Sequence, residues 1–219
     1  FFNFSNLTLF VASNNSFGGN LPSLVNITDL SVFHCANCDF TGGSIADNFF
    51  ETALRLTSLD LSDNAFTGNI PSSLGCLPLL SELNLSLNDF DGMVPEFCEG
   101  LPLYILDLHA NSLQTLPSSL AVLNETLGIL LLQNNDFAGQ LPSFESHFGL
   151  ITLDVSDNQF DGALPNFHPS VLLSEARFSR NRFGGVIPAQ YDDLAGQLDV
   201  LFFNDNKLTG SIPPSLCTI

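Results

Sequence analysis

Basic residues are the scarcest feature of this chain: five Lys and Arg stand against 23 Asp and Glu, a formal charge of −18 over 219 residues. A chain so acidic argues against nucleic acid or anionic membrane as a partner and favours a cationic protein surface. The same acidity also serves to keep an apolar chain soluble. No apolar run is long enough to span a bilayer, so direct membrane insertion is not expected within these residues. Linkers and low-complexity runs are missing too, which points to one elongated domain rather than two globular ones.

The usual marks of catalysis are equally absent. There is no Gly-rich phosphate loop and no nucleophile elbow, and His34, His109, His147 and His168 have no local catalytic setting. Asp157–Gly162 (DNQFDG) has Gln159 where a calcium loop needs a ligand, and no glutamate follows at the required distance. The Cys35-Ala36-Asn37-Cys38 run lacks a second ligand pair, so buried thiols are expected there rather than zinc. No enzyme activity, cofactor or metal is called for.

What the chain has is a frame. Leu56–Pro71 (LTSLDLSDNAFTGNIP) recurs as Leu80–Pro95, Leu127–Pro142, Leu150–Pro165 and Leu198–Pro213. Looser copies occupy Leu7–Pro22, Leu30–Ala46, Leu103–Pro117 and Leu173–Pro188. The frame's asparagine slot advances by 23 to 26 residues per copy, from Asn15 to Asn206, with Cys38 standing in once. A period that narrow over nine copies defines a repeat architecture. In each copy alternate residues such as Leu59 and Leu61 point inward while Asp60 and Ser62 point outward, as in a short strand. One copy cannot bury its own apolar face, so the copies stack and share a core. The asparagine column is then polar at depth and needs partners, which an amide supplies by donating and accepting together. Seven copies place phenylalanine two residues later, which predicts an internal spine of rings. Glycine suits the following turn, and proline suits the start of a short helical or 3-10 segment.

Those residues give the chain a resemblance over essentially all its length. It resembles the plant-type leucine-rich-repeat proteins, in which Leu-x-Gly-x-Ile-Pro follows the asparagine; eight of nine copies keep the glycine and eight keep the proline. The resemblance implies an α/β right-handed solenoid with nine short parallel strands on the concave face. Short helical or 3-10 segments and loops would form the convex face. It also implies an extracellular or plasma-membrane recognition role, as in receptor-like kinases, receptor-like proteins and polygalacturonase-inhibiting proteins. Two copies depart from the pattern: the Leu30 copy carries an extra residue and Ala46 for proline, and the Leu103 copy is one residue short and lacks the glycine.

Neither end carries a polar capping segment, so a fragment of a longer protein, lacking both caps, is expected. Six N-glycosylation sequons, at Asn3, Asn6, Asn14, Asn26, Asn84 and Asn124, fit a secretory route and leave the last four copies free of sugar. Cys76 and Cys98 lie on outer segments of adjacent copies. Their unequal offsets from Pro71 and Pro95 leave their pairing open, and Cys217 has no evident partner.

Scaffold columns stay constant while the outward strand positions vary, as a surface not needed for folding would. Among these, Asp60, Glu82, Asp107 and Asp154 are acidic, and Ile105, Ile129, Leu131, Val200 and Phe202 form apolar islands beside them. That mixture is typical of a binding patch, although for any one residue a solvated sheet face is favoured over contact. His109 and Gln133 belong to the next outward column. Arg177, Arg180 and Arg182 gather three of the five cations in one copy, where they face either an acidic or carboxylate-ended ligand or the neighbouring Asp154, Asp157, Glu175 and Asp205. The expected function is a protein- or peptide-binding module of a receptor-like protein or kinase. A secreted inhibitor of a wall-degrading glycosidase is the alternative, and ice binding is a distant third.

Overall fold

The computed structural model describes residues 6–24, 27–194 and 196–217, with the side chains of Ser215 and Cys217 outside the description. The Asn3 and Asn26 sequons and the pairing of Cys217 therefore lie outside the described residues. Nine three-residue strands form one sheet, in chain order: Leu9–Val11, Val32–His34, Ser58–Asp60, Glu82–Asn84, Ile105–Asp107, Ile129–Leu131, Thr152–Asp154, Glu175–Arg177 and Val200–Phe202. All eight pairings are parallel and in one-to-one register, from Leu9↔Val32 to Glu175↔Val200. Eight gaps at sheet spacing make this face about 40 Å long.

The middle residue of each strand and the residue two further on point inward. Leu59, Leu61, Leu83, Leu85, Leu106, Leu108, Leu130 and Leu132 are buried together, coil upon coil. Below them the asparagine column binds each coil to the one before it. Asn135 Nδ2 donates to Leu108 O (2.9 Å) and Leu132 O (3.1 Å), and its Oδ1 accepts the Leu113 N–H at 3.0 Å. Asn88, Asn111, Asn158, Asn181 and Asn206 repeat this pattern. A buried polar column persists because both ends of each amide are satisfied. Cys38, in the same slot, has only a thiol to offer, which donates to Ala12 O at 3.2 Å.

The ring spine forms in two stretches. Phe40, Phe66 and Phe90 follow one another at 5.9 and 6.1 Å, and Phe137, Phe160 and Phe183 at 5.8 and 6.2 Å. Leu113 separates the stretches, and Phe17, expected inside, is 55% exposed although it stacks on Phe40. No described coil lies on its outer side to cover it.

Past the asparagine, a second layer of strands appears that the repeat frame had suggested only as turns. Gly43–Ser44, Phe66–Gly68, Asp89–Met93 and Ser112–Thr115 form a four-stranded sheet. Ala138–Gln140 pairs with Gln159–Asp161, and Gly184–Val186 with Lys207–Thr209. The four-stranded ladder stops at the Leu103 copy. That copy is one residue short, the register already slips between Gly92 and Met93, and the next coil falls out of phase. The extra residue in the Leu30 copy also has a local effect: Gly43 (φ 67°) rather than Gly42 takes the left-handed turn. Among the described residues the outer face carries 3-10 segments at Ser72–Cys76, Ser118–Leu123, Ala189–Leu194 and Pro214–Cys217, each following a proline of the frame, and one isolated parallel bridge between Phe144 and Phe167. Asp47–Leu56 is a run of turns. Cys76 and Cys98 are joined in a disulfide across adjacent coils, with Cα atoms 5.0 Å apart.

Candidate functional site

The first and third residues of each strand face away from the core, so the nine-stranded face is a grid with one row per coil. Its third-residue column has an internal chemistry that the sequence did not disclose. Asp60 Oδ1 accepts the Ser62 N–H at 3.0 Å and its hydroxyl at 2.6 Å. Asn84 does the same with Ser86 (3.1 and 2.7 Å), and Asp154 with Ser156 (2.9 and 2.6 Å). Asp107 takes the His109 N–H at 3.1 Å and faces its Nδ1 at 2.7 Å. These are side-chain turns that steady the strand exit, so one oxygen of each acid is committed to the scaffold. Asp107 and Asp154 are consequently 9% and 7% exposed, outward in direction yet largely covered. Gln133, in the next column, is also half-buried, and its Oε1 is shielded without a partner.

Glu82 is exposed and ends a relay across three coils. His34 Nε2 lies 2.7 Å from Ser58 Oγ, whose hydroxyl donates to Glu82 Oε2 at 3.0 Å. The serine proton is directed at a carboxylate, so the trio holds the surface together rather than arming a nucleophile.

The arginines find different partners. Arg177 pairs with Glu175 on its own strand, with Asp154 Oδ2 at 4.0 Å on the preceding coil, and lies over the Phe202 ring with its guanidinium carbon 5.5 Å from the centroid. Arg180 stands in the left-handed turn before Asn181 (φ 52°) and grips Asp157 through Nε and Nη2, the latter 2.6 Å from Oδ2. Those bonds hold its guanidinium above the ordinary value. Arg182 Nη2 donates to Gln159 Oε1 at 2.9 Å on the flank. The three cations thus form a row of separate contacts with neighbouring coils.

Between the acids lies an apolar strip. Ile105, Ile129 and Leu131 are half-buried on the face, and Phe202 is 50% exposed. Tyr104 and Ile151, one position earlier in their coils, extend the strip; sequence reasoning missed both. Tyr104 could have been found from Gly128, its column neighbour: a Cβ there would collide with the Tyr104 ring, so only glycine lets the ring lie across the coil. Cys35 and Cys38 are buried below the face, and burial pushes the Cys35 thiol up to about 12, with Cys38 adding to the shift. Among the described residues no group of three or more His, Cys, Asp or Glu converges to hold a metal, and no helix is long and apolar enough to cross a membrane.

A parallel-stranded solenoid with a constant amide ladder presents an extended inner grid whose residues vary from coil to coil. The leucine-rich-repeat family model matches residues 55–77 and 197–219. Receptor-like protein 54 of Arabidopsis thaliana is 30% identical over 147 residues, covering 64% of this chain and 17% of the relative. The crystal structure of a TDR receptor superposes with a TM-score of 0.86 at 30% identity, over 96% of this chain and 37% of that one. The ectodomain of the Arabidopsis receptor kinase HAESA, solved with a peptide hormone ligand, gives a TM-score of 0.86 at 31% identity, over 98% and 36%. The chain is therefore a leucine-rich-repeat solenoid similar to plant receptor-like proteins and to the ectodomains of plant receptors. It spans between 10% and 18% of the length of the curated relatives named with it.

Proposed function

We propose that this chain is a ligand-recognition segment of a receptor ectodomain and that its inner face binds a peptide or protein segment carrying both apolar and cationic side chains. One observation carries the reading: a strip of large apolar residues, Tyr104, Ile105, Ile129, Leu131 and Ile151, lies on a strand face bordered by Glu82, Asp107, Asp154 and Glu175. Apolar residues on a solvent face contribute nothing to the solenoid core, and carboxylates beside them select a partner of opposite charge. An extended peptide laid across the strands would set its apolar side chains on the strip and its Lys or Arg groups beside the bordering carboxylates, of which Glu82 is the exposed one. Phe202 with Arg177 offers a second apolar anchor toward the last strand. The relatives named above, receptor-like proteins and receptor ectodomains, support a binding role of this kind.

A random peptide library panned on the secreted chain tests the proposal. The selected peptides should be rich in Lys or Arg alternating with apolar residues. They should lose binding to the Ile129→Asp, Leu131→Asp double variant while its melting temperature stays within a few degrees of the parent's, as expected for substitutions on a solvent face. Peptides without basic residues, or peptides that bind the double variant as well as the parent, would refute it.

A further inference from the structure

The third-residue column reads Asp60, Asn84, Asp107, Asp154 across four of its rows, one amide among carboxylates. In each, Oδ1 accepts the backbone N–H two residues on. A backbone N–H can only donate, so the Asn84 atom facing Ser86 is its oxygen and Nδ2 is turned the other way. Among the described residues that nitrogen makes no hydrogen bond, and it is not one of the buried polar atoms left without a partner, so it opens onto the inner face. Ser86, 2% exposed, holds the other end of the turn and completes the sequon Asn84-Leu85-Ser86.

We propose that Asn84 Nδ2 carries an N-linked oligosaccharide that stands on the nine-stranded face and divides it. In the transfer the nitrogen bonds the anomeric carbon of a lipid-diphosphate-linked oligosaccharide. The carbon–oxygen bond to the diphosphate breaks, the diphosphate leaves with the electron pair, and the amide gives up one proton. The other described sequons lie elsewhere. Asn6 precedes the first strand, Asn14 sits in an exit turn where its Oδ1 accepts from Asn37 Nδ2, and Asn124 follows the Ser118–Leu123 segment on the outer face. Asn84 alone among them places its sugar inside the grid.

The sugar's immediate neighbours are Asp60 and Asp107, one strand away on either side, at about 5 Å. It screens that part of the face, including Tyr104 and His109 on the adjacent coil. Phe202, five strands away, is left open. If the inner face binds as proposed above, and only on that reading, the sugar borders the Tyr104 end of the apolar strip and leaves Ile129, Leu131 and Ile151 open to the ligand.

Asn84→Asp is the discriminating variant, because it destroys the sequon and keeps the Oδ1 acceptor that Asp60, Asp107 and Asp154 already supply in their own coils. The full chain, secreted from plant cells, is treated with a peptide-N-glycosidase in H2¹⁸O and mapped by mass spectrometry. Conversion of Asn84 to ¹⁸O-labelled aspartate is expected, and an unconverted Asn84 overturns the assignment whatever the other sequons carry. Hydroxyl-radical footprinting then compares the two forms. Tyr104 and His109 should oxidise faster in N84D while Phe202 is unchanged; equal rates at Tyr104 and His109 overturn the screening. Neither measurement uses a ligand, so either can fail without the peptide-binding reading failing, and the reverse.

Discussion

Replacing Asn135 by alanine removes a side chain that is 8% exposed and makes three close hydrogen bonds, yet the expected cost is that of one orphaned group. The two carbonyls it serves keep other donors: Leu108 O still receives Asn111 Nδ2 at 3.1 Å, and Leu132 O still receives Asn158 Nδ2 at 2.9 Å. The Leu113 N–H, bonded to Asn135 Oδ1 at 3.0 Å, loses its acceptor in a buried site. Leaving one buried donor unpaired costs about 1–3 kcal/mol, toward the lower end if a water enters the vacated space. Gln133→Ala, two residues away, removes an amide whose Oε1 has no partner, so its effect should be under about 0.5 kcal/mol in either direction. Urea denaturation of the two variants beside the parent, with the slope checked for constancy, measures the contrast. Coincident midpoints for Asn135→Ala and Gln133→Ala would refute the inward and outward assignment and the ladder with it.

Breaking the Cys76–Cys98 bridge, a separation of 22 residues, by double serine substitution should destabilise the chain by about 3 kcal/mol, read as a lower urea midpoint; an unchanged midpoint would show the link is idle. At Gly75 an added Cβ would collide with the Glu96 carbonyl, whereas at Gly149 it meets backbone oxygens at 3.6 Å and beyond. Gly75→Ala should therefore cost about 1–3 kcal/mol and Gly149→Ala far less, and a reversed order in thermal melts would contradict the coil packing. Burial depresses the pKa of His147, so on acidification the unfolded chain takes up its proton first. Its contribution to stability is full above about pH 6.5 and is lost as the pH falls toward the folded value, so His147→Gln should flatten the plot of midpoint against pH in that window; an unaltered slope would count against a buried neutral ring.

The repeat frame alone determined that nine strands stack in order, that leucines and asparagines lie inside, and that the positions beside them vary. These properties follow from a period of 23 to 26 residues, which aligns identical slots whatever the coil's details. The same periodicity is blind to contacts between unlike residues in neighbouring coils. Whether Arg180 faces a ligand or Asp157, whether Asp154 is open or tied to Ser156, and which way the Asn84 amide turns depend on ångström-scale placement of side chains about 23 residues apart. Cys76 and Cys98 had unequal offsets in the frame and still met, because the outer segments adjust their path while the strands hold register. The core was legible because burial repeats with the frame. The inner surface was settled only by the fold, because its hydrogen bonds and ion pairs form between residues that do not repeat.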